Sequence, residues 1–159
     1  MHTHHAPDSL AQESSRLVFS GKTILIADHD ANARTWMYFI LAGKGARVLE
    51  AKDGWELLWT LSEHPTIAVV IADLQLPGVP GTDLVSMIRS ATHGTPCLLV
   101  GSFDDLLDYD QHAGVADDVI ALARPFAATA LVTQLIRAID AACAPSVAER
   151  LDRRMHAIE

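Results

Sequence analysis

Apolar positions along this chain fall into short unbroken runs separated by longer stretches in which they recur every three or four residues. The run Ile67-Ala-Val-Val-Ile-Ala is apolar throughout and leads into Asp73, with Leu76-Pro-Gly ending the segment. A β-branched run of that length predicts a strand buried on both faces. Lys22-Thr-Ile-Leu-Ile-Ala, Arg47-Val-Leu-Glu-Ala, Pro96-Cys-Leu-Leu-Val and Val119-Ile-Ala-Leu-Ala predict four more strands. Helical spacing fills the gaps. The first predicted helix starts at Asp30 as N-cap, carries Ala33, Trp36, Met37, Ile40 and Leu41, and is stopped by Gly43 and Gly45. Asp53-Gly opens a second helix with Trp55, Leu58 and Trp59, and a third begins near Gly81 with Leu84, Val85 and Ile88 inward. A short acidic helix spans about 103–113, and the last runs from about Ala127 to Ala142. The first helix is apolar nearly all round, which predicts deep burial. A plainer option has Tyr38 and Phe39 covering a neighbouring helix or the N-terminal segment.

Five strands alternating with five helices predict an α/β domain. Right-handed crossovers then favour a flavodoxin-like, doubly wound, five-stranded parallel sheet of order 2-1-3-4-5, with helices on both faces. That order sets the tips of strands one and three side by side. Each tip carries an acid, Asp28 and Asp73, at the carboxyl edge where open α/β sheets bind ligands. Residues 1–20 read as a flexible tail, 21–143 as the folded domain, and 144–159 as a helical extension or linker. Val147, Leu151, Met155 and Ile158 give that last segment an amphipathic pattern. So short a helix needs a partner: it packs on its own domain, pairs with a second copy in a homodimer, or is a severed linker.

Composition narrows the function classes. The chain has 159 residues, enough for one domain, and half of them are hydrophobic. A net charge of −8 without a basic stripe argues against nucleic-acid binding. No apolar stretch approaches the roughly 20 residues of a membrane span, and the N-terminus lacks a secretory layout, so the expected location is the cytoplasm. Cys97 and Cys143 lack metal or redox spacing and are expected to be buried thiols. Asp104, Asp105, Asp108 and Asp110 predict a solvated acidic face, and His2, His4 and His5 a flexible tail.

The segments Ile24-Leu-Ile-Ala-Asp-His-Asp, Ala51-Lys-Asp-Gly-Trp-Glu-Leu-Leu, Asp73-Leu-Gln-Leu-Pro-Gly-Val-Pro-Gly and Arg124-Pro125-Phe126 occur in an order and spacing that resembles the receiver domain of bacterial two-component response regulators. The resemblance covers about residues 22–142. It implies a phosphoacceptor at Asp73, served by a sensor histidine kinase or phosphotransfer protein, and a downstream protein target. It also implies a Mg2+ site formed by Asp28, Asp73 and the backbone carbonyl of Gln75. The departures from that family pattern matter equally. His29 stands where a second acid is usual, which weakens a site for Mg2+ or leaves no cofactor at all. Gly101 takes the position of a hydroxyl residue, with Ser102 beside it as a substitute. Arg124 replaces the usual Lys, and Ala121 replaces the usual aromatic switch residue.

Arg124 is expected to pair with Asp73 in the resting state. His29 has three readings: a hydrogen-bonded loop residue, an imidazolium standing in for the cation near Asp73 and Asp28, or a transition-metal ligand. Two functions remain. One is a stand-alone receiver phosphorylated on Asp73 and signalling by protein contact. The other is a phosphorylation-independent pseudo-receiver acting as a scaffold. An enzyme is not expected, because no nucleophile–base pair or phosphate-binding glycine loop is present.

Overall fold

The computed structural model describes residues 17–113 and 119–143. Within them lie five strands, β1 Thr23–Ala27, β2 Arg47–Ala51, β3 Ile67–Asp73, β4 Cys97–Gly101 and β5 Ile120–Ala123. Five helices alternate with these: α1 Ala31–Gly43, α2 Gly54–Glu63, α3 Gly81–Ala91, α4 Phe103–Ala113 and α5 Ala128–Cys143. All strand pairs are parallel, in the order β2-β1-β3-β4-β5. The flavodoxin-like topology expected from the alternation is the one observed.

The continuous apolar runs become strands because both faces of the sheet are covered. Leu25, Val70 and Leu99 point into a core completed by Leu57 and Leu61 of α2 and by Leu84 and Ile88 of α3. Their neighbours Ile26, Ile71 and Leu98 point the other way, against Met37 and Leu41 of α1 and Leu131 and Leu135 of α5. Such period-two division between two apolar layers requires every position to be hydrophobic.

Local chemistry sets the helix starts. Asp30 caps α1 through Oδ1, which accepts from the Asn32 backbone N–H at 2.8 Å. Asp53 caps α2 by accepting from the Glu56 N–H at 2.8 Å, while Glu56 Oε2 accepts from the Lys52 N–H at 2.9 Å. This pair of reciprocal bonds resembles a capping box. Gly54 admits the loop that follows β3: a Cβ there would stand 2.2 Å from Val79 Cγ2. Its N–H instead donates to Pro77 O at 2.8 Å, clasping that loop to α2.

Several expectations are corrected. Phe19, assigned to the flexible tail, is buried among α1 and β1 residues, and its N–H donates to Lys44 O at 2.9 Å. Helix α1 is not buried all round: Met37 and Leu41 face the core, whereas Trp36, Tyr38 and Phe39 are exposed, and Tyr38 meets Phe39 edge-on. In α2 the inward residues are Gly54, Leu57, Thr60 and Leu61, so Trp55, Leu58 and Trp59 lie outside. Cys97 is buried as expected, but Cys143 is exposed at the end of α5. The acidic positions Asp104, Asp108 and Asp110 are exposed on α4. The His2, His4 and His5 tail and the extension at 144–159 lie outside the described residues.

Candidate functional site

The register of β1 with β3 pairs Ala27 with Ala72, so the next residues on each strand, Asp28 and Asp73, emerge together at the carboxyl edge. Both are buried, a costly position for carboxylates unless every oxygen finds a donor. Each oxygen does. Asp28 Oδ1 accepts from the Asp30 N–H at 2.8 Å, and Oδ2 accepts from the Arg124 guanidinium. Asp73 Oδ1 accepts from the Gln75 N–H at 3.0 Å, and Oδ2 from His29 Nδ1 at 2.8 Å.

The expected pair of Arg124 with Asp73 is therefore corrected to Arg124 with Asp28. His29 already occupies Asp73, and β5 lies two strands from β3, so the longer guanidinium reaches past that acid to β1. Arg124 is steadied by its own N–H on Gly101 O at 2.8 Å and by Phe126, whose ring centroid is 6.0 Å from Cζ. Trp36 packs on the same ring at 5.8 Å. His29 Nδ1 also sits 3.7 Å from Asp28 Oδ1, between the two acids, while its ring is 50% exposed.

The remaining predicted residues are dispersed around this centre. Gly101 ends β4 beneath Leu74 and contributes no hydroxyl. Ser102 Oγ accepts from the Asp105 N–H at 3.1 Å, so its oxygen serves the start of α4. Ala121 is exposed on the edge strand β5. Gln75 uses its side-chain amide on Asp105 Oδ2 at 3.0 Å. Arg34 was missed by sequence reading. Its Nη1 donates to Asp28 O at 2.8 Å and its Nε lies 3.4 Å from Glu50, pinning the loop that carries Asp28 and His29. The available signal was a cation in the first turn of a helix, where the helix dipole favours acids.

Asp28, His29 and Asp73 present ligand atoms within 4.8 Å of one another. The carboxylates suit a divalent cation, and so does the arrangement at a sheet edge. The rest of the set suits Mg2+ poorly. An imidazole replaces a hard oxygen ligand, and the Arg124 charge already sits on Asp28. A cation held here would draw on Asp28 and Asp73, with His29 Nδ1 in the same cluster as a third ligand atom.

Comparison with known proteins places this geometry. The profile described as "Response regulator receiver domain" matches residues 24–136. The CAI-1 autoinducer sensor kinase/phosphatase CqsS of Vibrio cholerae is 32% identical over 72 residues, covering 45% of this chain and 10% of that protein. The DNA-binding response regulator MtrA of Mycolicibacterium paratuberculosis is 31% identical over 115 residues, covering 70% of this chain and 48% of that one. The chain thus spans half or less of the length of these curated relatives. A receiver-domain crystal structure from Clostridium thermocellum superposes with a TM-score of 0.67 at 25% identity, covering 75% of this chain and 94% of the other. Among the described residues, no helix is long and apolar enough to cross a membrane. With the sheet order, the paired acids at its edge and the match over most of the folded length in agreement, the chain belongs to the response regulator receiver domain family of two-component signalling.

Proposed function

We propose that this receiver domain acts as a pseudo-receiver, a contact module that holds one conformation without phosphoryl transfer. The observation that carries this reading is an acid pair whose oxygens are already taken. Arg124 brings a fixed positive charge to Asp28, His29 Nδ1 hydrogen-bonds Asp73, and all four carboxylate oxygens have protein donors. Charge-assisted bonds of this kind hold their groups firmly. Gly101 lacks the hydroxyl that would follow a phosphoryl group, and Ala121 lacks the ring whose rotation would report it. The output is then binding to a protein partner, with no substrate turned over.

One observation favours a second reading. His29 is half exposed and is held to Asp73 by a single hydrogen bond. If it swings away, Asp73 becomes an available nucleophile beside Asp28, with the Gln75 carbonyl two residues on. A sensor histidine kinase or phosphotransfer protein would then pass its phosphoryl group to an Asp73 oxygen, forming an acyl phosphate, with weakly held Mg2+ balancing the charge.

Incubation with acetyl phosphate at millimolar Mg2+, followed by intact mass, separates the two. The pseudo-receiver reading expects no adduct in the native chain. A phosphoryl adduct that disappears in Asp73→Ala would overturn it and establish the second. His29→Asp is expected to raise Mg2+ affinity by restoring an oxygen ligand, measured by titration calorimetry, and unchanged affinity would mean that residue 29 does not occupy a ligating position.

A further inference from the structure

Helix α2 turns its largest apolar side chains away from the core. Trp55 is 79% exposed and Trp59 60% exposed, with Leu58 also at the surface. Their three- and four-residue spacing aligns them in one stripe opposite the buried Leu57 and Leu61. The outer face of such a helix is ordinarily polar, and a contiguous exposed apolar stripe marks a contact surface.

The two sides of the stripe differ in chemistry. On one side Trp55 and Trp59 join Glu50 and Glu56 around a groove of about 480 Å3. On the other side Trp55 and Leu58 face Val79 and Met87 across a groove of about 410 Å3. Although Glu50 lies 3.4 Å from Arg34 Nε and Glu56 lies 3.6 Å from Lys52 Nζ, both side chains stay partly exposed, at 43% and 40%. A wholly apolar partner would strip water from them without replacing it. An acidic partner would meet like charge. A cation on an aliphatic stem satisfies indole and carboxylate together, and a guanidinium does so best, because it stacks on the ring while its N–H fork reaches an acid.

We propose that the Trp55–Trp59 face of α2 docks an arginine-bearing segment of a partner protein. The guanidinium lies between the indoles beside Glu50 and Glu56, and an adjacent aliphatic side chain enters the groove lined by Leu58, Val79 and Met87. This site stands on α2 and its flanks, and it is independent of whether Asp73 accepts a phosphoryl group.

The test is fluorescence anisotropy of a labelled peptide, Gly-Arg-Leu-Gly-Arg-Leu-Gly, titrated with the full chain at fixed moderate salt. Binding is expected to saturate and to weaken about tenfold when citrulline, which keeps the shape but not the charge, replaces arginine. Trp55→Ala and Trp59→Ala are each expected to weaken it by about tenfold, whereas Trp55→Phe and Trp59→Phe retain most of it. Glu50→Gln with Glu56→Gln should weaken it severalfold. The Phe variants keep the test decisive if an Ala variant fails to fold, which circular dichroism reports. Equal affinity for the citrulline peptide, or no change in Trp55→Ala and Trp59→Ala, would overturn the proposal. Tighter binding to phosphatidylcholine vesicles than to the peptide would also overturn it, by assigning the face to a membrane surface.

Discussion

A carboxylate held out of water is stable only while its counter-charge stays, and Asp28 tests that rule in this domain. Its cation is Arg124, and its other oxygen has a single backbone donor. Arg124→Ala therefore leaves a buried charge half-satisfied, and the chain should lose about 2–4 kcal/mol of stability, read as a lowered urea midpoint. Asp28→Asn in the Arg124→Ala background should recover part of that loss, because an amide carries no charge to desolvate. If the double variant is no more stable than Arg124→Ala alone, the pairing is not what holds Asp28. Arg124→Lys should recover less than the native residue, being shorter and without a planar fork. Convergence of Asp28 and Asp73 was legible from sequence, because each ends a buried run and the crossover rule sets those strands side by side. The partner of Arg124 was not. Which acid a long cation reaches depends on which is already taken, and His29, at the tip of the adjacent strand β1, takes Asp73.

Elements show the same division between kind and placement. Every strand and helix was legible as a type, since runs and spacings differ plainly and Asp30 and Asp53 mark two helix starts. Which face of α1 and α2 turns inward was not legible. A helix that is apolar nearly all round gives no phase, and packing on the sheet chose Met37 and Leu41 over Phe39, and Leu57 and Leu61 over Trp55 and Trp59. The two cysteines depend on placement in the same way. Cys97 opens β4 in the core, while Cys143 closes α5 at the surface. Burial pushes the Cys97 thiol up from 9.0 to about 12, only partly opposed by the nearby Arg89 charge. A thiol-specific chromogenic reagent at neutral pH should thus label Cys143 quickly and Cys97 only after denaturation. The linkage has a definite sign. The unfolded thiol ionises near 9.0 while the folded one keeps its proton to about 12, so this stabilisation is complete below pH 9 and is lost as pH rises across that window. Compared with Cys97→Ala, the native chain should lose stability more steeply with pH there, by up to about 1.4 kcal/mol per unit. Parallel pH profiles for the two proteins would rule out burial as the cause.

At the scale of the whole molecule, two cores share one sheet, and the question is whether they stand or fall together. Adjacent residues of β4 divide between them: Leu98 packs with α1 and α5, and Leu99 with α2, α3 and α4. Both are completely buried. The strands that carry one layer's side chains also carry the other's, so neither layer can lose its strands without exposing its counterpart. Leu98→Ala and Leu99→Ala should therefore each cost about 2–5 kcal/mol and lower one common transition. The tryptophans distinguish this from layered melting, because Trp36 lies on α1 and Trp55 and Trp59 lie on α2. In chains that retain only Trp36, or only Trp55 and Trp59, the fluorescence midpoint should match that from far-ultraviolet circular dichroism in both Leu variants. Separation of the midpoints, with Leu98→Ala moving the Trp36 signal alone, would mean that the α1–α5 layer unfolds independently. Coincidence would mean that a partner gripping α2 stabilises the acid pair at the sheet edge as well, since ligand binding to any part of a cooperative unit stabilises the whole.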